Sequence, residues 1–367
     1  MCNNHDPNHR HSIHCILAPH ILRAIVKNGT SEQRQKAITT LANDSTFRAL
    51  RNYTNATLAG TGPVTMISPG NKQRTIIDAK NLQSTEGKIV RFEGDPATND
   101  PAVDEAYDGL GVTYDFFWNI FERHSIDDEG MPLQGIVHFG KEYNNAFWDG
   151  QKMTFGDGDD DLFKRFTISL DVIGHELAHG VTEDEAGLVY FNQAGALNES
   201  MSDVFGSMVK QYKLNQSSDK ADWLIGAELL SDKINGKALR SMSDPGSAYD
   251  DPVLGKDPQP KHMNDFVNTF EDNGGVHINS GIPNRAFYLA ATSIGGFAWE
   301  RAGKIWYETL KDARLRANTG FKRFANLTVY NAVRLFGQGS QEEQAVLNAW
   351  NEVGIKTSVK EPLQYAH

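Results

Sequence analysis

The run LDVIGHELAHG, residues 170–180, limits what this chain can fold into more than any other stretch. Its length and composition predict one helix, on which His175 and His179, four residues apart, project from the same face. Two imidazoles placed in this way can bind one metal ion, and Glu176, about 100° further round the helix, can hold a water molecule beside it. The pattern H-E-x-x-H is typical of zinc peptidases, in which the glutamate is a base and not a ligand.

Taken alone, this pattern also fits a half-buried helix with two hydrogen-bonded histidines, so the metal hypothesis needs a further ligand. Catalytic zinc sites use three protein ligands and leave one position for water, whereas structural sites use four. In the run GALNESMSD, residues 195–203, Glu199 and Asp203 lie one helical turn apart. We expect Glu199 to bind the metal and Asp203 to accept the outer N–H of a ligand histidine. Apolar neighbours favour this interpretation over a solvated helix face: Leu197, Met201, Val204 and Phe205.

The two motifs, in this order and at this distance, resemble those of the thermolysin family of zinc endopeptidases. Four more runs match the same family: YNNAFW at 143–148, GLVY at 187–190, LRSM at 239–242 and DNGGVHINSG at 272–281. The resemblance implies a two-domain α+β fold with the zinc helix at the cleft between the domains. We expect a mostly β N-terminal domain over residues 59–186, which includes that helix, and an α-helical C-terminal domain over residues 187–367.

The resemblance also implies how the side chains of the site divide the work of peptide hydrolysis. Glu176 takes a proton from water, while Tyr190 and His277 donate hydrogen bonds to the oxyanion that forms from the scissile carbonyl. Asp272, five residues before His277, holds that imidazole in its protonated form or tautomer. Arg240 binds a carbonyl of the substrate and also caps carboxylates near the cleft, because a planar guanidinium suits two acceptors.

Two further groups of residues are expected to bind the peptide substrate. One is a predicted edge strand whose backbone and amide side chain can pair with an extended peptide: Asn145, Ala146, Phe147 and Trp148. The other, implied by the family, is an apolar pocket for the residue that follows the cleaved bond: Phe163, Val172 and Leu239. The enzyme is therefore expected to cleave before bulky hydrophobic residues.

The hydrophobic pattern predicts the elements around these motifs. Strands are expected at residues 74–78, 88–92 and 135–139, and a helix at residues 104–124. Two amphipathic helices are expected near the C-terminus, one ending before Gly337 and one around Trp350. Near the N-terminus, Pro19 and Gly29 delimit a short helix, and a second helix starts with Ser31 as its N-cap.

Residues 1–58 differ in charge from the rest of the chain. They contain seven Lys or Arg and three acidic residues, whereas the whole chain has a formal charge of −11. The run CILAPHIL, residues 15–22, resembles the short propeptide of the protealysin-like branch of the family, whose core is Pro-Pro-aromatic-aliphatic-Leu. Ala18 and His20 depart from that core. We therefore expect residues 1–58, with the end placed to within about ten residues, to be a short helical propeptide that inhibits the chain's own cleft.

Three residues of this segment are the candidates for contact with the active site: Cys15, Pro19 and His20. One alternative is that the segment is a permanently attached stabilising arm. Another is that Cys15 or His20 fills the open position on zinc, since thiolate and imidazole are good zinc ligands.

The expected cofactor is one catalytic zinc ion. Calcium-rich members of the family have a double calcium site, and Asp171 and Asp222 stand at matching positions of this chain. Lys210 and Ala227, however, occupy positions where acids are needed. The double calcium site is therefore expected to be lost, with Lys210 neutralising the remaining carboxylates.

Composition excludes several partners. An acidic chain of pI about 5.5 is not expected to bind nucleic acid, and no apolar run reaches the roughly 18 residues of a membrane helix. The expected partners are peptide substrates and the chain's own propeptide, and a monomer is the family expectation. Because no signal-peptide pattern follows the polar N-terminus, we expect secretion without a cleaved signal peptide, with a cytoplasmic precursor as the alternative.

Two rival functions are compatible with a zinc motif. A zinc aminopeptidase also uses H-E-x-x-H, but its Gly-x-Met-Glu-Asn run, which anchors the substrate amine, is missing from the sequence. A binding protein that has lost catalysis has no use for Glu176, Tyr190 and His277 together. A zinc endopeptidase made as a self-inhibited precursor is therefore the function that the sequence predicts.

Overall fold

A six-stranded mixed sheet organises the first part of the chain. The structure is a computed structural model and describes residues 14–54 and 68–357. The strands of this sheet are β1 (His14–Cys15), β2 (Arg74–Asp78), β3 (Lys88–Phe92), β4 (Leu133–Val137), β5 (Ala146–Trp148) and β6 (Lys152–Phe155). Across the sheet they lie in the order β1-β5-β6-β4-β2-β3; the β2–β4 and β4–β6 pairs are parallel and the others antiparallel. The strand formed by the first described residues thus lies at one edge, beside β5.

The predicted strands at 74–78 and 88–92 are confirmed, but the third strand begins and ends two residues earlier than predicted. Leu133 already pairs with Arg74 of β2, and its N–H donates to the carbonyl of Gln73 at 2.7 Å. The strand ends at Val137 because His138 has a positive φ of 53°, which the extended ladder does not accept. Periodicity alone does not reveal this change of backbone conformation.

The helix predicted over 104–124 is present, but it begins and ends three residues earlier than predicted. Among the described residues, the first three helices are α1 (Pro19–Asn28), α2 (Ser31–Thr54) and α3 (Pro101–Phe121). The Asp100 side chain caps α3 by accepting the N–H of Ala102 at 3.1 Å, and Pro101 follows in the first turn, where its missing N–H costs nothing. The helix ends at Phe121 because the following residue, Glu122, has a left-handed φ of 55°.

The two N-terminal helices pack on the rest of the molecule. In α1 the apolar face is buried in the main core: Ile21, Leu22 and Ile25. The predicted N-cap of α2 is wrong by one residue, because Thr30 and Gln33 form a reciprocal capping box, with hydrogen bonds of 3.3 Å and 2.9 Å, and Ser31 is the first helical residue. The expected end of this segment, near residue 58, lies outside the described residues.

The second part of the chain is mainly helical, as predicted. Its helices are α4 (Leu170–Ala186), α5 (Asn192–Leu214), α6 (Asp272–Asn279), α7 (Gly281–Ile294), α8 (Ala302–Leu310), α9 (Phe321–Phe336) and α10 (Gln341–Glu352). Two small antiparallel sheets lie between α5 and α6: β7 (Leu224–Ile225) with β8 (Arg240–Ser241), and β9 (Asp250–Asp251) with β10 (Gly255–Lys256). Among the described residues, no helix has the length and apolar character needed to span a bilayer.

Helices α4 and α5 approach each other closely enough to require glycine at their contact. A Cβ atom on Gly206 of α5 would lie 2.3 Å from the Asp171 carbonyl oxygen and 3.0 Å from the His175 nitrogen on α4. Only glycine allows two helix backbones to approach this closely without displacing one of them. The contact brings the face of α4 that carries His175 against the face of α5 that carries Glu199.

An ion-paired histidine, His138, links the end of β4 to the start of α3. His138 Nδ1 lies 2.9 Å from Asp157 Oδ2, and Nε2 lies 3.0 Å from Asp100 Oδ2, the carboxylate that caps α3. The hydrogen bond to Asp157, opposed by partial burial and helped by Asp100, raises the pKa of His138 to about 9. The imidazolium is thus the form that the fold stabilises.

We expect this pair to make stability depend on pH above neutrality. Since the pKa of His138 is higher in the folded chain than its usual 6.5, its contribution is complete below pH 6.5 and disappears as the pH rises through about 9. His138→Gln should therefore cost about 1–2 kcal/mol at pH 6 and much less at pH 9.5, in thermal unfolding followed by circular dichroism. An equal loss at both pH values would contradict the assignment.

Candidate active site and metal centre

The three predicted metal ligands converge in the interior between α4 and α5. His175 Nε2 and His179 Nε2 are 3.0 Å apart, and the Glu199 oxygens lie 3.5 Å from each of them. All three side chains are at most 1% exposed. Within residues 14–54 and 68–357, this is the single group of three or more His, Cys, Asp or Glu side chains whose ligand atoms lie within 4.8 Å of one another.

The outer nitrogens of both histidines are held by acceptors, which leaves both Nε2 atoms facing the same point. His175 Nδ1 lies 2.8 Å from Asp203 Oδ1, as predicted, and His179 Nδ1 lies 2.7 Å from Asn198 Oδ1. The buried atom Glu199 Oε2 has no hydrogen-bond partner in the structure. Two oriented imidazoles, a carboxylate and a buried polar atom without a partner fit a catalytic zinc ion with three protein ligands.

Asp203 joins the histidine pair to a second part of the site. Its two oxygens accept Arg240 Nη2 at 2.8 Å and Arg240 Nε at 2.9 Å, and Asn284 Nδ2 donates to Oδ2 at 2.8 Å. Burial alone would raise the pKa of Asp203, but the charge of Arg240 and the hydrogen bond with His175 hold it well below its usual value. The carboxylate is therefore ionised, and both of its oxygens accept hydrogen bonds.

Glu176 lies beside the group of ligands with no solvent exposure. Its Oε2 accepts the Trp148 N–H of β5 at 3.0 Å, while its Oε1 is buried and has no hydrogen-bond partner in the structure. Burial, and then the nearby charge of Glu199, raise the pKa of Glu176 well above its usual value. A carboxyl group with a raised pKa, one oriented oxygen and one unengaged oxygen is suited to carrying a proton.

Tyr190 and His277 meet beside the candidate ligand Glu199. The Tyr190 hydroxyl donates to Glu199 Oε1 and lies 3.2 Å from His277 Nε2. His277 Nδ1 lies 2.6 Å from Asp272 Oδ1. Although burial lowers the pKa of an imidazole, the charges of Asp272 and Glu199 raise that of His277 to about 9. Both groups are therefore placed as hydrogen-bond donors at neutral pH.

An unusual backbone turn places this imidazole. Asp272, Asn273, Gly274 and Gly275 have φ values of 52°, 50°, 83° and 76°, so four successive residues are left-handed at the start of α6. Asn and Asp tolerate this region better than other side chains, and glycine occupies it at no steric cost. The run DNGG thus has the residue types that such a turn requires, and the turn lets Asp272 accept both the ring and the backbone N–H of His277.

The predicted edge strand is occupied by the chain's own N-terminal segment. β1 pairs antiparallel with β5, in the register Cys15 with Phe147. Beyond it, the Ile16 N–H donates to the Ala146 carbonyl at 3.2 Å and the Leu17 N–H to Asn145 Oδ1 at 3.0 Å.

The carbonyls of the same segment point to the other wall of the cleft. The Ile16 carbonyl accepts Arg240 Nη1 at 3.1 Å, and the Cys15 carbonyl lies 3.2 Å from His277 Nε2. Residues 15–18 are at most 4% exposed. The segment is therefore bound on both sides of the cleft through its main chain.

The side chains of Cys15 and His20 pack against aromatic residues. Cys15 packs in a small cluster with Phe139, Tyr143 and Phe147, and His20 Nε2 lies 3.1 Å from the Tyr249 hydroxyl. Burial lowers the pKa of His20 to about 4. Pro19 is the first residue of α1. The segment meets His277 through the Cys15 carbonyl. Neither the thiol of Cys15 nor the imidazole of His20 belongs to the group of candidate ligands.

The residues expected to form the apolar pocket are all interior. Phe163, Val172 and Leu239 are at most 2% exposed and belong to the main hydrophobic core, which also includes the fully buried Ile16. Ile16 is also the residue whose carbonyl oxygen accepts a hydrogen bond from Arg240.

Sequence reasoning missed three residues that orient this site. Asn198 holds His179, Asn284 holds Asp203, and Asp44 of α2 accepts the Tyr143 hydroxyl at 2.5 Å and Asn145 Nδ2 at 3.0 Å. Asn198 directly precedes a predicted ligand in the sequence, which is a usable signal. Asn284 and Asp44 are distant in sequence and stand in no motif.

Lys210 lies where the sequence analysis expected it to replace calcium. Its Nζ is 2.9 Å from Asp222, 3.1 Å from Asp171 and 4.0 Å from Glu228. Burial would lower the pKa of Lys210, but Asp171 and Glu228 raise it above its usual value. Ala227 is half-buried next to this group and supplies no carboxylate.

The sequence matches two family models that together span most of the chain. Residues 27–183 match the catalytic domain of thermolysin metallopeptidases, and residues 186–355 match their alpha-helical domain.

Individual relatives match over nearly the whole chain. The extracellular metalloprotease of Pectobacterium carotovorum subsp. carotovorum is 56% identical, over 93% of this chain and 96% of that protein. Protease PrtS of Photorhabdus sp. (strain Az29) is 49% identical, over 93% and 92%. The solved precursor of protealysin, a metalloproteinase from Serratia proteamaculans, is 56% identical and superimposes with a TM-score of 0.85 over 93% of this chain and 99% of that one. On these matches, and on the site described above, the chain belongs to the thermolysin family of metallopeptidases.

Proposed function

We propose that the protein is a zinc endopeptidase, made as a self-inhibited precursor, that cleaves before bulky hydrophobic residues. The observation that carries the proposal is the group of His175, His179 and Glu199 with the buried carboxyl of Glu176 beside it. This arrangement has the three ligands and the base that hydrolysis by an activated water requires. The family membership supports the same class of reaction.

Each side chain of the site has a defined task in this proposal. A zinc ion bound by the three ligands supplies Lewis acidity to water and to the scissile carbonyl. Glu176 accepts a proton from the attacking water through its unengaged oxygen and passes it to the leaving amine. Tyr190 and His277 donate hydrogen bonds to the developing oxyanion.

The peptide is held by the contacts that now bind the N-terminal segment. Arg240 accommodates the carbonyl of the residue after the cleaved bond, and Asn145 the N–H of the next residue. The preference for a bulky hydrophobic residue is supported by the burial of Ile16 among apolar side chains.

Replacement of the base tests the mechanism. Glu176→Gln keeps the shape of the side chain but cannot accept the proton, so kcat/KM for casein-derived peptides should fall by about 10²–10⁴-fold while one zinc per chain is retained. Glu86→Gln, an exposed carboxyl far from the site in sequence, is the control and should keep full activity. A binding protein without catalysis would show no difference between these variants, and neither would hydrolyse the peptides.

We propose that residues 1–58 are the inhibitory propeptide of a precursor and that residues 59–186 and 187–367 are its two catalytic domains. The support is the segment's position along β5, the cleft strand, and the name of the matched precursor structure. Asp44 is a buried carboxylate of this segment, 2% exposed, that binds both Tyr143 and Asn145 of the cleft. It therefore acts as an inhibitory anchor and not only as part of a stabilising arm.

Loss of the Asp44 charge should weaken inhibition. Asp44→Asn removes the charge and places an amide N–H₂ against one of the two donors, which costs about 1–3 kcal/mol of docking energy and raises the open fraction roughly ten- to a hundredfold. The measurement is the initial rate on a short peptide, taken before the N-terminal segment is removed. Glu32→Gln, at a carboxylate that is 78% exposed on the same helix, is the control. An unchanged initial rate in Asp44→Asn favours the permanent arm.

Lys210 is proposed to act as an internal cation in place of a double calcium site. Its ammonium lies among Asp171, Asp222 and Glu228, so the carboxylates are neutralised without an added ion. Stability should therefore not depend on calcium.

Two measurements test the role of Lys210. Added calcium should leave the unfolding midpoint unchanged, because a ligand without a native site gives no stabilisation. Lys210→Ala should cost about 3–5 kcal/mol, since it leaves the fully buried Asp171 carboxylate uncompensated. Lys220→Ala removes an exposed lysine from the same region and should change stability by less than about 0.5 kcal/mol. A midpoint that rises with calcium concentration would reject the proposal.

Release of the enzyme to the cell exterior is proposed on the name of the Pectobacterium relative. Action as a monomer without nucleic acid or membrane partners remains part of the same proposal.

A further inference from the structure

The N-terminal segment enters the cleft in one defined chain direction. Cys15 pairs antiparallel with Phe147, the Ile16 N–H meets the Ala146 carbonyl, and Leu17 reaches Asn145. Three successive residues are thus aligned with the strand that is proposed to bind substrates. A segment that merely covered the cleft would not need this register.

The peptide group between Cys15 and Ile16 lies between the groups assigned to opposite ends of the reaction. Its carbonyl oxygen is 3.2 Å from His277 Nε2, next to the Tyr190 hydroxyl. Its N–H donates to the Ala146 carbonyl at 3.2 Å, on the strand whose Trp148 N–H binds the Glu176 carboxylate. The carbonyl thus faces a proposed oxyanion donor, and the nitrogen is held by the strand that also positions the proposed acid.

The residue after this bond satisfies the remaining contacts of a substrate. Ile16 is fully buried in the main hydrophobic core, and its carbonyl accepts a hydrogen bond from Arg240. A β-branched aliphatic side chain at this position matches the proposed preference for bulky hydrophobic residues.

We propose that the Cys15–Ile16 bond is a self-processing site, which the chain hydrolyses within its own cleft. The inference rests on the proposed endopeptidase function. One water molecule is consumed: its oxygen adds to the Cys15 carbonyl carbon, the C–N bond breaks, Cys15 becomes a C-terminal carboxylate, and the Ile16 nitrogen leaves as an amine that takes up a proton.

This cut does not by itself open the cleft. The contacts of Ile16 with Arg240, of Leu17 with Asn145 and of Asp44 with Tyr143 all lie on the C-terminal side of the cut bond. Residues 1–15 are lost, and the rest of the segment stays bound as a product. Hydrolysis of the Cys15–Ile16 bond therefore precedes activation and is separable from it.

The test follows the N-terminus of the full-length chain by intact mass and N-terminal sequencing, together with chelator-sensitive hydrolysis of casein. The wild-type chain is expected to lose residues 1–15 and start at Ile16 before casein hydrolysis begins. In Glu176→Gln the same cut should be at least about 10²-fold slower. When the two proteins are mixed, Glu176→Gln should keep residues 1–15, because the reaction is intramolecular.

A matched pair of variants tests the register without relying on catalysis. Ile16→Asp puts a charge at a fully buried position, whereas Ile38→Asp puts it at a position of the same segment that is 47% exposed. In the Glu176→Gln background, Ile16→Asp should speed cleavage by trypsin after Arg23 at least tenfold, and Ile38→Asp should not. In the active chain, Ile16→Asp should also abolish the cut after residue 15.

The outcomes separate this inference from the function on which it rests. Casein hydrolysis by a chain that keeps the Cys15–Ile16 bond until its segment is removed elsewhere would overturn the self-processing site and leave the endopeptidase intact. Loss of residues 1–15 from Glu176→Gln in the mixture would overturn the intramolecular step. No cut and no casein hydrolysis from a zinc-loaded chain would overturn both proposals, and equal trypsin sensitivity of the two aspartate variants would overturn the register.

Discussion

A single buried carboxylate, Asp203, couples the two halves of the site. It holds the imidazole of His175 with one oxygen and the guanidinium of Arg240 with both, and Asn284 completes its shell. A charge with no solvent exposure costs several kcal/mol unless it is paired and hydrogen-bonded, and here every partner is in place. Because the same group orients a metal ligand and the residue that grips the peptide carbonyl, the two functions cannot shift independently.

The contacts between the N-terminal segment and the cleft run mainly through the backbone. Strand pairing, the Arg240 hydrogen bond and the His277 contact all use main-chain atoms of Cys15, Ile16 and Leu17. Backbone groups are the same in every residue, so this mode of binding depends on chain direction and register more than on sequence. This explains why Ala18 and His20 can depart from the motif of related propeptides while the segment still occupies the cleft.

The sequence predicted the parts of the site that local geometry determines. His175, His179 and Glu176 follow from the helical period, and the approach of Glu199 and Asp203 follows from a second helix with the family spacing. It did not predict Asn284 or Asp44, because nothing local links a residue to a partner 81 or 99 positions away. The early end of β4 depends on the positive φ of His138, which a hydrophobic pattern does not encode. The sequence predicted that Cys15 contacts the active site. It did not predict that the carbonyl makes this contact, because that depends on the register of β1 against β5.

The burial of the ligands also determines how fast a metal ion can exchange. His175, His179 and Glu199 have almost no contact with solvent while residues 15–18 lie across the cleft. An ion at this position can leave, and a chelator can reach it, only when the segment lifts in a local opening. The half-life of zinc loss to a chelator therefore measures how often the segment opens, and it should shorten abruptly once the segment is removed.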